Sequence, residues 1–249
     1  MRAGGDVRYA FISDIHSNIE ALDAALSYIA PEDTVVCLGD IIGYGPNPNE
    51  CIARVRERSQ YVVIGNHDLA VLNGFGVERF NDAARAAVSW TREVLDPTHL
   101  AWIDTLAYEL RLPEMLLVHG APVDYFEYIL DVREAATALA ATDAPIVFIG
   151  HTHIPELWTL DAEGAYGHAH VQHGGTHRLD IAGGNRYIVD VGSVGQPRDL
   201  NPEGSMAIYD DLRKEVEWVR FEYDIGKTQS KIRAAGLPGY LAMRLGSGR

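Results

Sequence analysis

Five short apolar runs in this chain each end in a glycine, an acid or a histidine, and that recurrence restricts the fold more than any bulk property. The plainest case is Tyr61–Asp68, YVVIGNHD. Tyr61–Ile64 has the β-branched character of a buried strand, Gly65 allows a sharp turn, and Asn66, His67 and Asp68 follow at once. Asp14 and His16 leave an apolar run in the same way, as do Gly39-Asp40, His119-Gly120 and Gly150-His151-Thr152-His153. In open α/β sheets, ligands bind in the crevice beyond the strand ends. A single NHD reads as a helix cap with polar neighbours. Five such strand ends do not.

The intervening sequence predicts the elements that would carry them. Val7–Ile12 reads as a strand, and Ser17 or Asn18 can cap a helix whose Leu22, Ala25, Leu26 and Ile29 recur at helical spacing before Pro31. Thr34–Leu38 is a second strand. After the turn-rich Gly43–Pro48, a helix runs from about Asn49 to Arg58, and Tyr61–Ile64 is the third strand. This β-α-β-α-β order implies parallel strands joined by right-handed crossovers.

From Asn81 to about Leu106 two helices are expected, split at Asp96-Pro97. Strands Met115–Val118 and Ile146–Ile149 flank a helix over Asp131–Ala141. Short strand candidates then follow at Glu156–Asp161, Ala169–Gln172, Arg178–Ile181, Arg186–Val191, Ser205–Tyr209 and Glu215–Phe221, predicting an antiparallel or mixed second sheet. Lys227–Arg244 reads as a terminal helix interrupted at Gly236-Leu237-Pro238. With no repeat and no linker, residues 1–249 are read as one domain.

Composition narrows the function. Hydrophobic residues make up 47% of the chain, enough for a sizeable core. No apolar run approaches the roughly 18 residues of a membrane span. The opening MRAGGDVRYAFISD has no extended apolar region that would mark it for export, so a cytoplasmic location is expected. Cys37 and Cys51 support no disulfide framework. The net charge of −14 argues against a grip on long DNA or RNA, which needs a basic patch. Arg54–Arg58 is basic, but it reads as the exposed face of a helix. A small anionic substrate held by metal ions remains open. His168, His170, His173 and His177 crowd a Gly-rich segment; with no partner carboxylate at their spacing, they read as a flexible hairpin tip.

The strand ends together offer Asp14, His16, Asp40, Asn66, His119, His151 and His153, with His67 beside them. Asp14/His16 and His151/His153 are i, i+2 pairs, which in extended chain point the same way. Imidazole and carboxylate without thiolate suit manganese, iron or similar ions better than a structural zinc. Seven ligands are too many for one ion and fit two that share a carboxylate.

In this order, DxH, GD, GNHD, H and GHxH, the motifs resemble those of the calcineurin-like metallophosphoesterases. The later Gly192-Ser193-Val194-Gly195-Gln196-Pro197-Arg198 looks like the bacterial YfcE-type branch of small phosphodiesterases. The resemblance implies an α/β four-layer αββα sandwich, with two mixed β-sheets flanked by helices and a site for two divalent or trivalent transition-metal ions at the strand ends. It implies that Asp14, His16, Asp40 and His153 hold one ion, and that Asp40, Asn66, His119 and His151 hold the other, Asp40 bridging. It further implies attack by a metal-bridging hydroxide on a small phosphodiester or nucleotide-like substrate. His67 would stabilise the phosphate or protonate the leaving oxygen. Asn18, Tyr44 and Arg198 are candidate substrate contacts, although Arg198 can equally pair with Asp199.

The chain also departs from the protein-phosphatase members of that family. They carry GDxxDRG, whose aspartate orients the histidine and whose arginine grips phosphate. Here Gly43 and Tyr44 stand in those places. A dianionic site favours a bidentate arginine, so a diester is the expected substrate, with a phosphoanhydride such as a dinucleoside polyphosphate as the alternative. A non-catalytic scaffold is the rival from another class; the retromer subunit of this fold lacks the motif histidine that His67 supplies here.

Overall fold

In the computed structural model, which describes residues 7–249, the first three strands lie side by side and parallel. The opening residues 1–6, on which part of the export reading falls, lie outside the described residues. The chain begins with β1 (Arg8–Ile12), α1 (Ile19–Ser27), β2 (Thr34–Cys37), α2 (Pro48–Arg58) and β3 (Ser59–Val62). The third strand thus starts earlier than its apolar run, and Val63 makes only an isolated bridge to Ala107. Helix α3 (Asn66–Asn73) was not foreseen. It opens on the NHD motif itself, because the Asp68 carboxylate in its first turn reaches back to accept from the Gly65 N–H at 3.1 Å.

Then come α4 (Asp82–Val94) and α5 (Pro97–Ile103), divided at the expected proline. They lead to β4 (Glu109–Leu112), also unforeseen, and to β5 (Met115–Val118), α6 (Val132–Ala140) and β6 (Ile146–Ile149). The last third holds β7 (Glu156–Leu160), β8 (Tyr166–His170), β9 (Gly175–Arg178), β10 (Arg186–Asp190), β11 (Gly204–Asp210), β12 (Glu215–Phe221), α7 (Ile225–Ala234) and α8 (Gly239–Leu245).

Two six-stranded sheets result, ordered β3-β2-β1-β11-β12-β9 and β4-β5-β6-β10-β7-β8, and both are mixed. The late strands therefore do not make a sheet of their own. β11, β12 and β9 extend the first sheet, while β10, β7 and β8 extend the second. Period-2 alternation decides which side chains meet. Phe11, Val36 and Tyr209 of the first sheet face Leu117, Phe148 and Val189 of the second in a dry layer, where the Phe11 and Phe148 rings stack at 3.8 Å. On its other face the first sheet turns Ala10, Ile12 and Val35 toward Leu22 of α1 and Ile52 of α2. The second turns Leu116, Val147 and Ile188 toward Ala135 and Leu139 of α6. These are the four layers of the expected sandwich.

A further apolar cluster joins Ala84 and Ala87 of α4 to Ile232 of α7 and to Leu241 and Leu245 of α8, with Tyr44 among them. This cluster carries the C-terminal helices onto the edge where the motif loops emerge. No helix among the described residues is long and apolar enough to cross a membrane.

Candidate metal centre and its cleft

The motif loops leave their strands in strained conformations. Asp14, His16, Asp40, His151 and His153 all have positive φ, between 49° and 69°. A non-glycine residue in that region costs on the order of 1–3 kcal/mol and persists only where its surroundings dictate it. Here they do: Asp14 and His16 donate main-chain N–H bonds to Gly39 and Asp40, and the His151 N–H donates to Asp14 Oδ2 at 2.9 Å. Gly65 is needed because a Cβ there would lie 2.1 Å from Asp40 Oδ1. The loops are thus locked onto one another before any ligand arrives.

The locking settles how the imidazoles face. Nδ1 of His16 lies 3.2 Å from the Ile42 carbonyl, Nδ1 of His119 lies 2.7 Å from Leu38 O, and Nδ1 of His153 lies 2.6 Å from Gln196 O. A carbonyl only accepts, so each Nδ1 carries the proton and each Nε2 presents a lone pair. Those lone pairs converge. His16 Nε2 and His153 Nε2 are 3.2 Å apart, and His119 Nε2 is 3.1 Å from His151 Nδ1. Asp14 Oδ1, buried with no hydrogen-bond partner, lies 3.2 Å from His153 Nε2. Facing lone pairs beside carboxylates repel one another unless cations sit between them, so this donor set fits metal ions.

Two groups emerge, Asp14/His16/His153 and Asp40/His119/His151. Asp40 Oδ2 stands between them, 3.6 Å from His16 Nε2 and 3.4 Å from His119 Nε2. Asn66 Oδ1 joins the second group, 3.2 Å from His119 Nε2. The structure thus brings together all seven expected ligands. Burial pushes His16 and His153 below the usual imidazole range and takes His151 down to about 3. His119 differs: burial opposes its protonation, but the adjacent Asp40 carboxylate outweighs that and raises it to about 9, so without a cation its Nε2 also holds a proton, which a metal ion would displace.

His67 heads α3 and stands at the cleft. Among the described residues no carboxylate orients it, and its Nδ1 is buried without a partner there. Aromatic packing does the work instead. Phe80 stacks at 4.5 Å, Tyr44 tilts against the ring at 4.4 Å, and His16 meets it edge-on at 4.9 Å. Such pairs contribute about 0.5–1.5 kcal/mol each beyond area burial. Gly43 lies against it, where a Cβ would come within 2.8 Å of Nδ1. Asp68 is used elsewhere, accepting from the N–H groups of Ile42 and Gly65. Burial lowers His67 to about 4, against the pull of Asp40.

Above these residues opens a cleft of about 220 Å³ lined by Tyr44, Phe80, Tyr128, Arg79, Arg198 and Arg244 among others. Of the three candidate substrate contacts, Tyr44 and Arg198 are among the residues that line this cleft. Asn18 is not. It caps α1 through Ala21, donates to Gly195 O at 2.9 Å and accepts from Thr228, all buried; its amide is consumed in holding the fold.

Arg198 does not pair with Asp199, which Arg220 claims at 2.9 Å. Its guanidinium sits 6.0 Å from the Tyr44 ring centre, bonded to Gln196 Oε1, with a buried, unpartnered Nε. Arg244, from α8, approaches the same ring at 5.8 Å and is 9% exposed. Among the described residues, no Asp or Glu side chain pairs with either. Burial, then Arg198, lowers the Arg244 pKa. Position 44 contributes no guanidinium, yet the cleft has its arginines from elsewhere. Nothing in the motifs marks Phe80, Tyr128 or Arg79. Arg244 had one signal, its position in step with Leu241 and Leu245 on the apolar face of its helix.

Behind the His151/His153 loop, Asp190 at the end of β10 is buried and accepts from Thr152 Oγ1 at 2.6 Å and Gly192 N at 2.9 Å. Burial keeps its pKa well above the carboxylate range despite those bonds.

Comparison with known proteins agrees with this geometry. The family model described as the calcineurin-like phosphoesterase superfamily domain matches residues 7–212. An uncharacterized protein of Methanocaldococcus jannaschii is 36% identical over 253 residues, covering 96% of this chain and 98% of that one. The crystal structure of a metallophosphoesterase from Sphaerobacter thermophilus superposes with a TM-score of 0.85 at 38% identity, over 98% of this chain and 99% of that chain. A hypothetical protein from Pyrococcus horikoshii OT3 shares the fold at a TM-score of 0.77 and 21% identity, over 98% and 99% of the two chains. With its His and Asp groups able to bind metal ions, this chain belongs to the calcineurin-like phosphoesterase superfamily.

Proposed function

We propose that the chain is a dinuclear-metal-dependent phosphodiesterase acting on a small phosphodiester or nucleotide-like substrate. The observation that carries this reading is Asp40 Oδ2, which belongs to the second group of converging ligands yet also lies 3.6 Å from His16 Nε2 of the first. Asp14, His16 and His153 would hold one ion with Asp40, and Asn66, His119 and His151 the other. The donor set, rich in imidazole and carboxylate and free of thiolate, favours manganese or iron. When bound, such a pair supplies Lewis-acid polarisation of phosphoryl oxygens and an activated water. The protein's part is to present seven ligands on loops already locked, and to hold His67 beside the cleft, where it protonates the leaving oxygen. A phosphoryl anion set against His67 reverses part of the downward shift of its pKa.

Hydrolysis of a phosphoanhydride is the second reading, and a specific observation favours it. Arg79, Arg198 and Arg244 line the cleft, so a substrate with charge beyond the scissile phosphate finds partners there. The deciding experiment strips the protein with a chelator and restores it with Mn²⁺ or Ca²⁺. It then compares diesters, monoesters with the same leaving group, and dinucleoside polyphosphates. We expect no turnover without metal, restoration by Mn²⁺ but not Ca²⁺, and higher kcat/KM on diesters than on monoesters. Full activity in metal-free protein overturns the mechanism, and a polyphosphate preferred over every diester selects the second reading.

A further inference from the structure

The histidine-rich segment turns out not to be a hairpin tip. His168 and His170 lie in β8, the edge strand of the second sheet, whereas His177 lies in β9 at the edge of the first. Pairing of β7 with β8 sets Glu156 opposite His170 and Trp158 opposite His168, so all four side chains share one face of the ladder. The carboxylate partner that local spacing lacks is therefore supplied across the sheet. His170 Nδ1 lies 2.8 Å from Glu156 Oε1, and His168 Nε2 lies 3.3 Å from Oε2. Trp158 stacks flat on His168, 3.7 Å between centres and 8° between planes, which fixes that imidazole.

We propose that Glu156, His168 and His170 form a third metal site, separate from the cleft, that takes a single zinc-like transition ion. One donor atom from each residue falls within a sphere of mutual separation of 4.8 Å. Zinc bonds of about 2.0–2.2 Å set tetrahedral ligand atoms roughly 3.3–3.5 Å apart. The His168–Glu156 separation of 3.3 Å matches that distance; the His170–Glu156 separation of 2.8 Å is a hydrogen-bond length, which His170, exposed enough to turn, would open to admit the ion. Two histidines and a glutamate leave the fourth position to water, a set that zinc accepts.

Two surrounding features ask for a cation here. Glu156 is only 5% exposed, and its neighbour in register on β10 is the buried Asp190. Ionised carboxylates are costly to bury without a positive partner. β8 itself reads Tyr-Gly-His-Ala-His, mostly exposed and bonded on one side only, so packing does little to hold it. An ion tying β8 to β7 would secure that edge. It would also brace the exit of the loop carrying His151 and His153, since Glu156 begins the strand that the loop enters and Val171 N–H bonds to Pro155 O.

The test compares wild type, His170→Gln and Glu156→Gln, each stripped with chelator, dialysed against Zn²⁺ alone and desalted. Metal content is read by mass spectrometry, and quenching of Trp158 fluorescence by Co²⁺ gives a local signal, checked with Trp158→Phe. Both variants should carry one ion per chain fewer than wild type, whatever the cleft retains, and should lose the Trp158 quenching. Because the readout is the difference between proteins, failure of the cleft to bind metal leaves it intact. His170 is 69% exposed on its side chain, so its variant should fold even if Glu156→Gln does not. Equal metal content in wild type and His170→Gln overturns the site and leaves hydrogen bonds alone. Retention of the third ion by a folded Glu156→Gln also overturns it, because the imidazoles then bind without the carboxylate.

Discussion

The floor and the rim of the cleft are built in opposite ways. The floor is made of residues that sit within four positions of a strand end, on loops bonded main chain to main chain. Six of its seven donors are buried, and backbone carbonyls dictate the tautomers of His16, His119 and His153. The rim draws Arg79 and Phe80 from ahead of α4, Tyr128 from the loop after β5, Arg198 from the loop after β10 and Arg244 from α8. The floor is assembled by local strand-to-loop geometry, the rim by the packing of helices around Tyr44. On the proposed function, chemistry belongs to the first and discrimination to the second, so one fold could keep its reaction while its substrate changes. The positive rim also contrasts with a chain of net charge −14 and favours anions at the cleft.

If that division holds, substitutions at the floor should lower turnover on every substrate, while those at the rim should sort substrates. His67 sits where the two meet and should have the largest effect. General acid catalysis contributes ~10²–10⁴-fold, and His67→Gln should cost the upper part of that range with alkyl or nucleoside leaving groups, distinctly less with nitrophenol. Metal content should stay the same. A loss equal across a leaving-group series would assign His67 to the phosphoryl oxygens, and loss of metal would move it to the floor.

Asp40→Asn tests the floor directly. Removing the negative charge between the two ligand groups should cost at least ~10²-fold in kcat on all substrates, the penalty typical of misplaced reacting groups, with reduced metal content. Near-normal turnover with both ions retained would show that Asp40 is no bridge.

Arg244→Gln tests the rim. A hydrogen bond to a charged group contributes about 1.5–3 kcal/mol, so kcat/KM on a polyphosphate should fall at least ~10-fold. The fall on a singly charged diester should be several times smaller. Equal losses would mean that Arg244 only shapes the Tyr44 surface, and the rim would lose its role in selection.

The smallest effect is expected at Asp190→Asn, beneath the floor. Asp190 has a folded pKa raised above that of the unfolded chain, so the folded state holds the extra proton. Stability from that group is full below the unfolded value near ~4 and falls as pH rises toward the folded value. The asparagine cannot ionise, and its Tm relative to wild type should rise with pH from about 4 upward. A Tm difference independent of pH would mean that Asp190 is ionised in the fold.

Much of this arrangement was legible before any coordinates. Asp14, His16, Asp40, Asn66, His119, His151 and His153 could be picked out because each lies just past an apolar run, and parallel strands of one sheet end on the same side; that the two sheets bring those ends together came from the fold. The β-α-β-α-β start was readable for the same local reason, since amphipathic periodicity and capping act over a few residues. The helix on the NHD motif escaped because its signals, Gly65 and Asp68, serve the turn and the cap at once. Asn18 was misplaced because an asparagine near a metal motif looks the same in sequence whether its amide faces a ligand or Gly195.

What the amino-acid order determined by itself is the donor set, its sequence of presentation and the family of chemistry. Those depend on contacts between residues a few positions apart, where geometry is nearly independent of the rest of the chain. Only the tertiary structure decided how the late strands divide between two sheets, which aromatics hold His67, which arginines face the cleft, and that Glu156 meets His168 and His170. Each of these joins segments far apart in sequence through packing and strand register, and neither composition nor periodicity encodes which distant partner wins.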